Sequence, residues 1–387
     1  MTDPFAPAAL GPVPVRNRFI KAATFEGRTP RRVVTPDLID FHRRFAAAGV
    51  GMTTVAYCAV TRAGSTDGHQ ITLDEPGVGD GLRDLAAAVH GEGAAVSAQI
   101  GHAGPVANPM GTKHPAVAPS RVWSPLGFRR VRSLSTGEIE DVIAKFAAGA
   151  RVLADAGFDA VEIHMGHGYL LSAFLSPRLN RRDDDWGGPL ENRARLARLV
   201  ARAVRDAVGT QMAVTAKLNM DDGVRGGLGP DESIAVAGLL ERDGVLDALT
   251  LTAGSSFQNP MYLFRGDAPV AEMAAMFPPP LRVGIRLFGG RFFRSYPFEE
   301  AYLLPTARRF RAALSLPLVL LGGINRLDTV QAALDEGFAF VQMGRALLRE
   351  PELLARFRSE PGAEALCVHC NKCMPTIYSR TRCVLVP

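Results

Sequence analysis

The 387-residue chain has no run of about 18 apolar residues, so no membrane-spanning helix is expected. Met1 to Leu10 lacks the basic start and apolar core of a signal peptide, and the cytoplasm is the expected compartment. Lysine and arginine total 44 against 39 acidic residues, a net charge of +5 with no basic tail. That balance argues against nucleic acid as a partner, and a few phosphate-seeking arginines would account for it equally well. No internal repeat or low-complexity segment is present. Cysteine is scarce before residue 367, where Cys58 stands alone, and a disulfide framework is not expected in a reducing compartment. After the first apolar run there is no Gly-x-Gly-x-x-Gly turn, which counts against a doubly wound dinucleotide fold.

What is there is ample core material, with 47% hydrophobic and 21% charged residues. Eight apolar, β-rich runs read as strands buried on both faces: Phe19–Ala23, Met52–Tyr57, Ala95–Ile100, Ala160–His164, Ala213–Leu218, Ala248–Thr252, Leu318–Leu321 and Ala339–Met343. Helical stretches alternate with them: Pro36–Ala48, Leu82–His90, a segment opened by the capping box Ser135-Thr136-Gly137-Glu138, Leu190–Val208, Asp231–Arg242, Ala301–Ala313, Asp328–Gly337 and Ala346–Phe357. Eight βα units predict an α/β fold, a closed (β/α)8 TIM barrel over residues 1–358, with residues 359–387 as a cysteine-rich C-terminal extension packed on it.

Two connections are far longer than the usual ~4–6 residues: Gly104–Leu134 after the third strand and Gly254–Tyr302 after the sixth. Both follow strands, so both are expected over the C-terminal mouth, where barrel active sites lie. Polar residues also gather at strand ends. Gln99 closes the third strand, Lys217 the fifth, Gly322-Gly323 the seventh and Gly344-Arg345 the eighth. Either glycine pair alone is a tight turn. At neighbouring strand ends the two predict a phosphate site, because glycine lets backbone approach an anion and Arg345 adds charge.

The fourth strand runs into Glu162-Ile163-His164-Met165-Gly166-His167-Gly168-Tyr169. Strand alternation alone would not bring His164, His167 and Tyr169 to one side, so the glycines must re-aim them. Two histidines without a third ligand make a poor zinc site, and satisfied core histidines are the bland alternative. Beside a tyrosine at a strand end, the pair points to hydrogen bonding of a small-molecule substrate.

Pro14–Phe19, Gln99–Gly104, Gly157–Pro177, Asn180–Asp183 with Trp186-Gly187-Gly188, Glu191-Asn192-Arg193 and Met343-Gly344-Arg345 together resemble the old yellow enzyme family of FMN-dependent oxidoreductases, over nearly the whole chain. The ending looks most like the branch with 2,4-dienoyl-CoA reductase and trimethylamine dehydrogenase. The resemblance implies FMN across the mouth, NADH or NADPH as co-substrate, and reduction of the C=C bond of an α,β-unsaturated carbonyl. It places Gln99 at the flavin's pyrimidine edge, Lys217 near N1 and O2 where the family usually has arginine, and Ala23, Thr24, Phe25 and Tyr57 beside the ring. Gly322, Gly323, Gly344 and Arg345 match the phosphate end. His164 and His167 match the pair that holds the substrate's electron-withdrawing group, and Tyr169 matches the proton donor. Eight residues after Asn17 the family places Cys, Thr or His; here that position is Phe25, which cannot donate a hydrogen bond. Either Thr24 takes over or only backbone contacts the ring. The stretch Phe257–Tyr296 has no match to the family's sixth loop; in it Tyr262 and Arg265 are candidates for contact with an acidic or phosphate-bearing substrate, or for a surface ion pair.

Four cysteines close the chain as Cys367-x2-Cys370-x2-Cys373-x9-Cys383. Zinc ribbons usually carry two Cys-x2-Cys pairs, whereas three early cysteines and one late one look more like a [4Fe–4S] ligand set. The branch named above carries such a cluster here, with a longer final gap. A zinc staple and reduced thiols without metal stay open. So do an amine dehydrogenase or demethylase of the same family, a non-redox barrel binding a phosphorylated ligand, and a homo-oligomeric state.

Overall fold

The computed structural model describes residues 1–108, 112–124, 129–277 and 279–386. Eight parallel strands close on themselves in sequence order: β1 (Phe19–Lys21), β2 (Met52–Ala59), β3 (Ala95–Gly101), β4 (Ala160–Met165), β5 (Ala213–Asn219), β6 (Ala248–Thr252), β7 (Leu318–Leu321) and β8 (Phe340–Met343). β8 pairs with β1, Val341 opposite Phe19, and completes the barrel. The strands are buried on both faces because each is walled by a helix outside and by its fellows within. Those helices are α1 (Pro36–Ala47), α2 (Val78–Gly91), α3 (Thr136–Asp155), α4 (Leu190–Val208), α5 (Pro230–Asp243), α6 (Leu304–Ala313), α7 (Leu327–Asp335) and α8 (Leu353–Ser359). The capping box forms as expected, with Ser135 and Glu138 exchanging side-chain and backbone hydrogen bonds at the start of α3.

One end of the barrel is stopped. An N-terminal hairpin, Ala8–Leu10 with Val13–Val15, packs Leu10, Val13 and Val15 against Ile20, Met52, Ala160, Ala213 and Phe340 at the strand starts. The hairpin closes that end, and the open mouth lies at the strands' C-terminal ends. There the two long connections are structured rather than bare. The first holds a small sheet, with Val117–Ala118 and Val122–Ser124 flanking Arg129–Ser133. The second holds short helices, Pro260–Phe264, Val270–Ala275 and Pro279–Phe288. Phe257 of the second packs with Val106, Val122 and Val131 of the first, with Tyr169 against the same cluster.

Two helices differ from the sequence reading. α2 begins at Val78, because Gly77 with φ +76 stands at its N-cap and glycines 79 and 81 mask the first turn. The helix expected over Ala346–Phe357 is two, Arg345–Arg349 and α8, since Pro351 cannot continue the hydrogen-bond ladder.

Candidate active site

Tyr57, His164, His167 and Tyr169 form one ring cluster at the mouth. His164 lies 4.9 Å from His167 and 4.6 Å from Tyr169, centroid to centroid, and Tyr57 lies 5.3 Å edge-on to Tyr169. The re-aiming expected of the glycines is supplied in part by His167 itself, whose φ is +60. Asn219 Oδ1 accepts from the His167 backbone N–H at 3.0 Å, and Thr252 Oγ1 lies 2.9 Å from His167 Nε2, which fixes the ring and leaves Nδ1 for a ligand. His164 Nδ1 is buried without a hydrogen-bond partner in the protein. An orphaned buried nitrogen beside a second histidine is what a ligand-binding pair looks like without its ligand. Burial, then the Lys217 charge, pushes His164 down to about 3; burial, with His164 and Lys217, holds His167 well below the usual imidazole range. Both rings are neutral near pH 7. The Tyr57 hydroxyl donates to the Gly64 carbonyl at 3.0 Å, and burial raises its pKa well above the usual phenol value.

Beneath the rings lies a polar knot that the sequence reading did not foresee. Glu162, 2% exposed, points into the barrel. Its Oε1 accepts from Lys217 Nζ at 2.9 Å and Gln99 Nε2 at 2.7 Å, and its Oε2 from Thr250 Oγ1 at 3.1 Å and Gln342 Nε2 at 3.0 Å. Burial would push the carboxyl up, but Lys217 and the amide donors outweigh it and hold Glu162 below its usual value. Gln99 and Lys217, both expected at the flavin, are thus anchored from below. A single charge in the middle of an apolar strand was the signal available for Glu162.

A second buried group ties β1 to α1. Lys21 Nζ lies 3.2 Å from Glu26 and donates to Thr24 Oγ1 at 2.9 Å; Glu26 Oε2 accepts from the Ala56 N–H. His42 stands 3.7 Å from Glu26 and is kept neutral, chiefly by burial. Burial lifts Glu26 to about 7 against the pull of Lys21. This set holds the segment carrying Ala23, Thr24 and Phe25 at the rim. Ala23 packs on Tyr57, Thr24 abuts Gly344, and the Phe25 carbonyl accepts from Thr381 of the C-terminal extension.

At the other side of the mouth Gly322 and Gly323 have φ +110 and +72. A side-chain carbon at either would come within 2.6 Å of Leu303 or of the Tyr302 ring, so only glycine fits this turn. Arg345 donates to the Arg265 carbonyl at 3.0 Å and to Asn371 Oδ1, and so joins the eighth strand's end to both the long connection and the extension. These features fit FMN: a tight backbone turn with a guanidinium beside it, Lys217 and Gln99 for the ring's polar edge, and the partnerless His164 Nδ1 at the same mouth.

All four late cysteines, with Arg345 and Arg349, line one cavity under the extension. Cys58 and these four are free thiols, and burial raises Cys58, Cys367 and Cys373, the last to about 11. Among the described residues no three such groups close around a single metal ion. The extension is fastened by His369, stacked on Phe298 at 3.4 Å with Nε2 2.6 Å from Asn325 Nδ2, and by Asn371, which donates to the Arg265 and Asp267 carbonyls.

A barrel stopped at one end, with a glycine turn and a cluster of neutral imidazoles and tyrosines at the other, is a frame that suits a cofactor-dependent oxidoreductase. The chain belongs to the NADH:flavin oxidoreductase / NADH oxidase family, whose model matches residues 3–249. It is 53% identical over 381 residues to 4,4'-dithiodibutanoate disulfide reductase of Rhodococcus erythropolis, covering 98% of this chain and 94% of that one. Among solved structures, 2-naphthoyl-CoA reductase in complex with 2-naphthoyl-CoA matches with a TM-score of 0.84 at 25% identity, over 98% of this chain and 56% of that one. An old yellow enzyme homologue from Zymomonas mobilis shares the fold, with a TM-score of 0.75 at 23% identity over 99% of this chain and all of that one. The chain spans about half the length of several other curated relatives. The family and the barrel read from the sequence are therefore established. No helix among the described residues is long and apolar enough to cross a membrane.

Proposed function

We propose that the chain uses FMN and NAD(P)H to reduce a small organic disulfide. The observation that carries the reading is the neutral His164–His167 pair with Tyr169 beside it, at the rim of a glycine cradle. The 53% identity to a disulfide reductase supports the choice of acceptor. The overall change is RS–SR + NAD(P)H + H⁺ → 2 RSH + NAD(P)⁺. FMN, when bound, supplies the hydride transfer. Gly322, Gly323, Gly344 and Arg345 would hold its phosphate end, and Gln99 and Lys217 its pyrimidine edge, with the lysine's charge stabilising negative charge there. The imidazole nitrogens of His164 and His167 would hydrogen-bond a sulfur as it gains charge on S–S cleavage. The Tyr169 hydroxyl would protonate a departing thiolate.

The same three side chains also suit an activated alkene, and the closeness of Tyr169 to His164 favours that second reading. The imidazoles would hold the carbonyl oxygen, and Tyr169 would protonate the α-carbon. Flavin-loaded protein given NAD(P)H and either 4,4'-dithiodibutanoate or a cyclic enone distinguishes the two. The first reading expects two thiols, counted with a chromogenic thiol reagent, for each nicotinamide oxidised. Turnover of the enone alone would sink it. Replacing both His164 and His167 by alanine should lower kcat/KM by roughly 10²–10³-fold or more while FMN stays bound.

We further propose that the extension over residues 359–387 holds an iron–sulfur cluster on Cys367, Cys370, Cys373 and Cys383. Four thiols around one cavity with two arginines suit an anionic cluster, and a cluster spaces its ligands wider than one ion does. Anaerobically purified protein should carry iron and acid-labile sulfide, both lost in Cys373→Ser. Stoichiometric zinc in their place would end this proposal.

A further inference from the structure

The long connection after β6 contains a cation that the mechanism above leaves unused. Arg265 sits among three tyrosine rings, its guanidinium carbon 4.7 Å from the centroid of Tyr262, 4.9 Å from that of Tyr296 and 5.7 Å from that of Tyr302. Among the described residues no carboxylate pairs with it, and its Nε is shielded from solvent without an acceptor. Two other partly buried arginines have the carboxylate that it lacks. Arg193 bonds Glu232 and the Leu175 carbonyl, and Arg205 bonds Asp247 and three carbonyls. Arginine keeps its charge in any protein setting, so an unpaired, half-buried guanidinium calls for an anion from outside the chain.

The surroundings are built to keep it there. Arg265 has φ +46 and ψ 150, a conformation that a side-chain-bearing residue holds only when neighbours impose it. Arg345 and Asn371 impose it through the Arg265 carbonyl. Asn259 donates to the Tyr296 hydroxyl at 2.8 Å, which leaves that hydroxyl's own proton to give. The Tyr302 ring lies against Gly323, and Ser255, at the start of the same connection, bridges backbone with His167. Arg265 therefore lies in the same connection that meets the glycine turn at Tyr302 and the histidines at Ser255. Rings over its faces hold it by cation–π attraction and leave its edge for two parallel N–H···O bonds to a planar anion.

We propose that Arg265 is a carboxylate seat that holds the anionic end of the acceptor while the bond to be reduced lies at His164 and His167. The proposal rests on the reduction of a small acceptor inferred above, and it names the acceptor as an acid. Such a contact is made equally before and during reaction, so it acts on KM rather than kcat.

Kinetics on 4,4'-dithiodibutanoate and on its dimethyl ester, with wild type, R265M and R265K, test it. R265M should raise KM for the acid by roughly tenfold or more, leave its kcat within about threefold and leave the ester's KM unmoved. R265K should recover part of the loss. Equal losses on acid and ester, or no change for the acid, overturn the proposal. So does an R265M protein that sheds FMN on gel filtration yet keeps the acid's KM, because the guanidinium would then serve the cofactor's phosphate. A readout without turnover separates this from the disulfide reading. Adipate, a dicarboxylate that cannot be reduced, should raise the melting temperature of wild type and not that of R265M; equal shifts overturn the seat. If wild type reduces neither disulfide while the adipate shift still needs Arg265, the disulfide reading falls and the carboxylate seat stands.

Discussion

Protonation at the mouth is set residue by residue. An imidazole in an unfolded chain titrates near about 6.5. In the fold burial pushes His102 to about 4, and burial with Lys217 pushes His164 to about 3. Between those values and 6.5 the unfolded chain binds protons that the folded chain refuses. Their contribution to stability is therefore complete above about pH 6.5 and is lost as pH falls toward 4. Glu26 runs the other way: its folded value near 7 exceeds the unfolded one, so its contribution is complete at low pH and lost as pH rises through 7. The melting temperature should fall from pH 6.5 to 4.5, and His102→Gln should flatten that slope; a variant with the wild-type slope would contradict the assignment. The kcat/KM profile of the wild type should likewise show no imidazole titration between pH 5 and 8. An inflection near 6.5 that disappears in a His164 variant would show the ring is charged where it is read as neutral.

At the level of elements, strands were more legible than what joins them. A strand buried on both faces must be apolar along its length, so runs such as Met52–Tyr57 and Ala213–Leu218 stand out in the sequence. The inserted helices did not stand out. Pro279–Phe288 opens on prolines and leaves Val283, Leu287 and Phe288 exposed, so burial does not mark it. The mouth was legible in part: His164, His167 and Tyr169 come together as expected, because a strand end and its glycines are local. Lys21, Glu26 and His42 were not, because their meeting depends on how α1 lies against β1. The rim segment and the extension make a prediction at this scale. Gly27 has φ +62, and a methyl there would fall on the Ile377 carbonyl. Gly27→Ala should cost about 1–2 kcal/mol from the backbone alone and lift the extension off. Thiols of the four late cysteines should then react faster with a thiol reagent; unchanged reactivity would mean the rim does not hold them.

For the molecule as a whole, Glu162 is a point that strands from across the barrel share. Glu162→Gln would leave Lys217 buried without its counter-charge, and removing one partner of a buried pair costs roughly 3–5 kcal/mol. Urea unfolding should show a loss of that order, and one below about 1 kcal/mol would mean that water compensates the lysine. The same carboxylate imposes an order of assembly. Its first oxygen can be served once residues 99 and 217 have met, but its second waits for residues 250 and 342. A nascent chain that has made only five strands holds a half-quenched anion at its centre, and the arrival of the eighth completes it.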